Sequence, residues 1–224
     1  MTDKDLTHLY VLLDRSGSMQ SIRTDTVGGF AAFVEQQKSA PGRCLVTLAQ
    51  FDDHYEIVYR DKDVNDVGEL DLQPRGSTAL LDSMGRLITE AGAELAALSE
   101  AQRPSSVIVV VMTDGLENAS REWTPQAIRA LVEQQRSDYQ WVFTYLGANQ
   151  DAIAVGEGLG VHRDFAMTFT GRRARTAMRS AGANVAAYRT AVAGGAPPVQ
   201  AAPALAWSDA QRADARAEDT DDEN

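Results

Sequence analysis

Residues 106–115, SVIVVVMTDG, decide how the chain folds. From Val107 to Met112 the run is apolar without a break and mostly β-branched. Such side chains pack well on a pleated surface. An apolar run with no alternation belongs to a strand covered on both faces, hence to a parallel sheet flanked by helices. It is the predicted central strand, and it delivers Asp114-Gly115 to its carboxyl end. Residues 8–14, HLYVLLD, repeat the pattern and stop at Asp14. Further strands are predicted at 43–51, 55–60 and 139–146, with a last edge strand at 164–170. Only Asp52, Asp53 and His54 separate the strands at 43–51 and 55–60. That pair is a hairpin, so one edge strand runs antiparallel.

Helical stripes lie between these strands. Residues 21–38 put Ile22, Val27, Phe30, Phe33 and Val34 on one side, before Pro41-Gly42 stops the helix. Residues 78–98 carry Leu80, Met84, Leu87, Ile88, Ala91 and Leu95 at helical spacing. Thr124-Pro125 reads as an N-cap followed by proline in the first turn. A short helix follows residues 147–152, and a basic helix spans about 172–190. Strands alternating with helices predict an α/β fold: a doubly wound, Rossmann-like, mostly parallel sheet with helices on both faces.

The chain has 224 residues, room for one domain, expected at 5–191, and an extension. Residues 192–224 turn Ala/Pro-rich and then acidic, which predicts a disordered tail. The net charge is −11, of which residues 208–224 contribute −5. That balance argues against a nucleic-acid or anionic-membrane partner, because phosphate recognition needs a basic surface. No apolar stretch is long enough for a membrane span. The N-terminus has no basic-then-apolar signal pattern, which predicts a cytoplasmic protein. Cys44 is the one cysteine, so a disulfide framework and a cysteine-rich zinc site are both excluded, and its apolar setting predicts burial.

Three segments at predicted strand ends or just before a helix carry chemistry: Asp14-Arg15-Ser16-Gly17-Ser18, Thr78 in RGSTAL, and Asp114-Gly115. In doubly wound sheets, ligand sites form outside the carboxyl ends of strands where the strand order reverses. If the first and central strands are neighbours there, Asp14 and Asp114 converge. Asp14, Ser16, Ser18, Thr78 and Asp114 are all hard oxygen donors, a set that favours Mg²⁺ or Mn²⁺ over zinc or copper. Turn and cap chemistry accounts for any one of them alone. All five in this order point to a metal site.

The pattern resembles the metal-ion-dependent adhesion site of von Willebrand factor A (VWA) domains: Asp-x-Ser-x-Ser, a Thr in a later loop, and an Asp after the central strand. Asp14, Ser16, Ser18, Thr78 and Asp114 match it, and YVLLDRSGSM, RGSTALLD and VVVMTDGLEN resemble bacterial intracellular members. The resemblance covers about residues 8–170. It implies binding rather than turnover, with a protein partner's Glu or Asp completing the coordination. By family analogy, partners include an AAA+ ATPase of the MoxR type. Arg15 and Arg75 flank the expected site and would attract such a carboxylate, or else are solvated surface arginines. Loops 19–23, 51–54, 74–77, 115–123 and 147–151 would set specificity.

The enzymatic alternatives lack parts. A haloacid-dehalogenase-like phosphatase needs a second acid two residues after its first, where Ser16 stands, and a lysine near the phosphoryl group. Lys4, Lys38 and Lys62 fall elsewhere. There is no GxSxG elbow and no GxxxxGK loop. His8 is expected to begin a strand, His54 to sit in a hairpin turn and His162 in a loop. A scaffold without metal dependence is the remaining alternative. Trp123 is expected over the helix that follows it or, alternatively, as an interaction anchor, Trp141 in the core, and Trp207 in the tail, docked or unconstrained. Six arginines between residues 163 and 189 face the question of whether the acidic tail folds back on them, competes for the metal, or only solubilises.

Overall fold

Strand β1 (Asp3–Asp14) is buried from Leu6 onward because it lies in mid-sheet. β2 (Arg43–Phe51) flanks it on one side and β4 (Pro104–Thr113) on the other, both parallel. The computed structural model describes residues 2–217. β3 (Tyr55–Asp63) closes one edge, antiparallel to β2, while β5 (Val142–Ala148) and β6 (Ala166–Phe169) extend the other in parallel. The order is β3-β2-β1-β4-β5-β6, so the winding reverses between β1 and β4. The expected α/β architecture, with its one antiparallel edge strand, is the one observed.

Alternation along each buried strand feeds two cores. Leu9, Val11, Leu13, Ile108, Val110 and Met112 pack with α1 (Arg23–Ser39) and α5 (Ala174–Ala193) through Phe30, Phe33, Met178 and Tyr188. Tyr10, Leu12, Val109 and Val111 pack on the other face with α2 (Leu80–Ala97) and α3 (Pro125–Tyr139) through Met84, Ile88 and Ile128. Thr124 caps α3 by accepting from the Ala127 N–H, with Pro125 in the first turn as expected. A 3₁₀ turn (Gly17–Ile22) precedes α1, and a short α4 (Ala152–Gly158) precedes β6.

Several local expectations change. Tyr139 ends α3 instead of opening a strand; Gln140 turns left-handed (φ 58°), and β5 begins only at Val142. Trp123 packs against the core face shared by α2 and α3, with its ring over α2: a Cβ added at Gly85 would lie 2.3 Å from it. Glycine in a helix interior is unfavourable, and here its bare backbone seats the indole.

The expected disorder from residue 192 does not hold for residues 198–216. α6 (Pro198–Ala201), a 3₁₀ turn (Ala202–Leu205) and α7 (Asp209–Arg216) continue the α1/α5 face, with Ala201, Leu205, Trp207 and Ala215 buried in its core. Backbone bonds pin the segment, Trp207 N–H to Asp164 O at 3.0 Å and Thr170 N–H to Ala215 O at 3.0 Å. Ser208 and Gln211 form a reciprocal capping box at the start of α7. Composition misled because small residues dominate the stretch, while two large ones, two positions apart, do the anchoring. The acidic run at residues 218–223 lies outside the described residues.

His8 lies in mid-strand rather than at a strand start, with Nε2 3.0 Å from Thr47 Oγ1 and 3.3 Å from Asp61 Oδ1. Burial lowers its pKa from 6.5 to about 4, against a smaller opposing pull from Asp61. As pH falls below 6.5 the unfolded chain takes up this proton before the folded one does. The stabilising contribution is therefore intact above pH 6.5 and is lost towards pH 4, about 3 kcal/mol in all. Urea unfolding at pH 7 and pH 4.5 checks this. His8→Gln should flatten the difference, and an equally steep loss in the variant would refute the assignment.

Candidate functional site

The switch point brings the ends of β1 and β4 side by side, with Leu13 opposite Met112. One residue further along, the Thr113 hydroxyl donates to Asp14 Oδ2 at 2.6 Å, and the Ser16 N–H donates to Asp14 Oδ1 at 2.6 Å. Asp14 is wholly buried. Burial pushes its pKa up to about 6, the bonds from Thr113 and Ser16 oppose this, and nearby Asp114 adds to the rise. Asp114 is raised as well, first by burial, with the Ser18 bond acting against it. Two carboxylates with costly negative charge thus sit at one rim of the sheet.

The hydroxyls join them. Ser18 Oγ donates to Asp114 Oδ1 at 2.6 Å and lies 3.1 Å from Ser16 Oγ. Thr78 reaches the same place: a Cβ added at Gly115 would fall 3.1 Å from Thr78 Oγ1 and 3.5 Å from Ser18 Oγ. All five residues singled out in the sequence therefore meet. Thr113 was missed. Its signal was a hydroxyl residue directly before the acid, which in sequence reads as one more strand residue.

Thr78 is placed by the loop after β4. Its N–H donates to Asn118 Oδ1 at 3.0 Å, and its carbonyl accepts from the Asn118 and Ala119 N–H groups. Glu117 Oε2 accepts from the Leu81 N–H at 2.9 Å in the first turn of α2, and Asp82 accepts from the N–H groups of Arg121, Glu122 and Trp123. Loop 115–123 is thus stapled to the start of α2, while Leu116, 64% exposed, projects from it.

Neither Arg15 nor Arg75 is a free anion attractor; Arg75 is exposed, as expected of a surface arginine, whereas Arg15 is buried. Each donates through Nε to Asp52 Oδ2, at 3.0 and 2.9 Å, and Arg15 Nη1 also reaches Glu56 Oε2 at 2.5 Å. Burial alone would raise the Asp52 pKa; the bonds from Arg75, the His54 N–H and Arg15 outweigh it and hold the carboxyl below its usual range. Asp52, Asp53 and His54 each offer one ligand atom within 4.8 Å of the others. Asp52 Oδ2 is already committed to two guanidinium groups, so this trio is a poorer cation site than the rim.

Among solved structures the chain is similar to the ArnB paralog VWA2 from Sulfolobus acidocaldarius (14% identity, TM-score 0.51, covering 78% of this chain and 44% of that one). It is similar to von Willebrand factor type A from Catenulispora acidiphila (15%, 0.52, 82% and 42%). It is also similar to the pilus adhesin SpaC from Lactobacillus rhamnosus GG (12%, 0.58, 81% and 30%). The chain has the von Willebrand factor A fold. It spans less than half the length of each of these proteins. No family model matches the sequence, and no curated protein matches it.

In this VWA fold the rim passes a simple test of fit. Its donors are oxygens only, which suits a hard divalent cation. The missing side chain of Gly115 leaves open the space between Thr78 Oγ1 and Ser18 Oγ, a gap that even a methyl group would crowd. No described helix is long and apolar enough to cross a membrane.

Proposed function

We propose that Asp14, Ser16, Ser18, Thr78 and Asp114 hold one Mg²⁺ or Mn²⁺, and that the ion's outward side takes a Glu or Asp from a protein partner. The observation that carries this reading is the convergence of five oxygen-bearing side chains from three distant segments, with Ser18 and Asp114 in direct contact across 96 positions of sequence. Two carboxylates balance a divalent charge and no more, so the ion stays electrophilic towards a further anion. The ion supplies charge and coordination. The chain's own part is to hold the donors and to keep Asp14 from water.

Recognition rather than turnover is the reading, because both rim carboxylates are committed to the ion and no lysine stands there to clamp a phosphoryl group. Ser16 stands where a phosphatase needs its second acid, and Lys4, Lys38 and Lys62 lie outside the strand-end loops around it.

Gly115→Ala tests the site without touching a ligand. The added methyl comes within 3.1 Å of Thr78 Oγ1, so the hydroxyls must spread. Calorimetric titration with Mn²⁺ should show affinity weakened by roughly tenfold, equivalent to about 1.4 kcal/mol, with melting in EDTA little changed. Wild-type affinity in the variant would mean that no ion sits against Gly115. Turnover of a generic phosphate ester in the presence of Mg²⁺, lost in Asp14→Asn, would replace recognition with catalysis.

A further inference from the structure

We infer that Asp52 is a positioning residue for the rim cation, holding the Ser16–Ser18 turn and the Thr78 segment at the spacing a small ion needs; this rests on the function proposed above. The two segments belong to no common strand pair. What joins them is a short set of bonds: Arg75 N–H to Arg15 O at 2.8 Å and Gly17 N–H to Gly76 O at 3.2 Å. Asp52 sits behind that seam, wholly buried. Its Oδ2 takes one guanidinium N–H from the turn, Arg15, and one from the loop, Arg75. Oδ1 accepts from the His54 N–H at 2.7 Å, and the Asp52 carbonyl accepts from the Ala79 N–H at 2.9 Å, next to Thr78. The Asp52 carboxylate therefore fixes the middle residue of Asp14-Arg15-Ser16 and the arm before Thr78, while its backbone carbonyl holds the residue after Thr78.

The chemistry explains why an acid is needed there. A neutral side chain of the same shape cannot accept two charge-assisted bonds on one oxygen and a third on the other. It would also leave Arg15, inside the protein, without its buried counter-charge. Groups bonded directly to metal ligands commonly govern affinity by about 10–100-fold, because they fix where the ligands point; Asp52 acts one bond further back, through Arg15 and Arg75, so its effect falls at the low end of that range.

Asp52→Asn, measured in the full chain, tests the inference through selectivity. Mn²⁺ fits a tight oxygen cage and Ca²⁺ a larger, looser one. Titration with each ion should show Mn²⁺ affinity falling by roughly tenfold while Ca²⁺ affinity falls much less. Both ions carry the same charge, so their ratio is blind to the charge removed and to a general loss of stability. Arg75→Gln, at a side chain 63% exposed, should lower the ratio in the same direction and guards against a failure of Asp52→Asn to fold. Asp53→Ala and His54→Ala should leave both affinities unchanged. An unaltered ratio in the Asp52 and Arg75 variants overturns the inference. So does an equal loss in Asp53→Ala or His54→Ala, which would mean that an ion binds at the hairpin. If wild type binds Mn²⁺ and Asp14→Ala does not, the proposed site stands whatever Asp52 does; if wild type binds neither ion, both fall.

Discussion

Asp14→Ala removes Mn²⁺ binding: the variant gives no saturable heat at concentrations that fill the wild-type site. One of two carboxylates is lost, and the ion would keep an uncompensated positive charge beside a wholly buried position. The expected loss is about a hundredfold or more, near 3 kcal/mol. Asp14→Asn separates a ligand from a structural turn residue. The Asp14 carboxyl has a pKa raised to about 6 from 3.8. A raised acid pKa means that the folded state prefers the protonated form, so stability is full below pH 3.8 and declines as pH rises towards 6. At neutral pH the ionised group costs the metal-free fold about 3 kcal/mol. Asparagine removes that cost, but its one oxygen keeps only the Ser16 N–H while the Thr113 hydroxyl turns to the Gly115 carbonyl 3.1 Å away, so both bonds lose their charged acceptor, at about 1–3 kcal/mol together. The metal-free variant should therefore melt close to wild type at pH 7, and Mg²⁺ should raise the melting temperature of wild type alone. A variant that is much less stable without metal would make Asp14 a cap residue.

Trp207→Ala destabilises the protein by about 3–5 kcal/mol, as for other buried large-to-alanine changes. In a chain of this length that lowers the melting temperature by roughly 6–20 °C. Trp207 is 6% exposed and packs into the α1/α5 core beyond the point where the composition turns Ala/Pro-rich. Its indole Nε1 is buried without a hydrogen-bond partner. Trp207→Phe should accordingly be much milder, because it keeps most of the apolar contact and removes an unsatisfied donor. Equal melting temperatures for wild type and Trp207→Ala would show that the segment after α5 contributes nothing to the fold.

The sheet and its helices were legible because each buried strand writes its environment into a few adjacent residues. Val107–Met112 and Leu9–Leu13 are apolar on both sides because both sides are covered. The turn Asp14-Arg15-Ser16-Gly17-Ser18 was legible for a related reason: its donors are adjacent, so their spacing alone says which side chains share a face. Asp114 followed from the strand-end rule once β1 and β4 were taken as neighbours, and Thr78, just before a helix, from the resemblance.

What was not legible depends on partners far apart in the chain. Arg15 reads as a surface residue until Asp52, 37 positions away, comes to lie beside it, and Arg75 meets the same oxygen from 23 positions away. Trp207 looks unconstrained until the β5–β6 side of the sheet needs a cover. Apolar periodicity is a local signal, fixed by which way successive side chains point. Ion pairing and docking of small-residue segments are not, since their free energy exists only after the long loops between the partners have closed. Residues 8–14 and 106–115 thus carry the fold and two of the five ligands on their face, whereas the bracing of those ligands and the seat of the C-terminal segment come into being only when the chain is assembled.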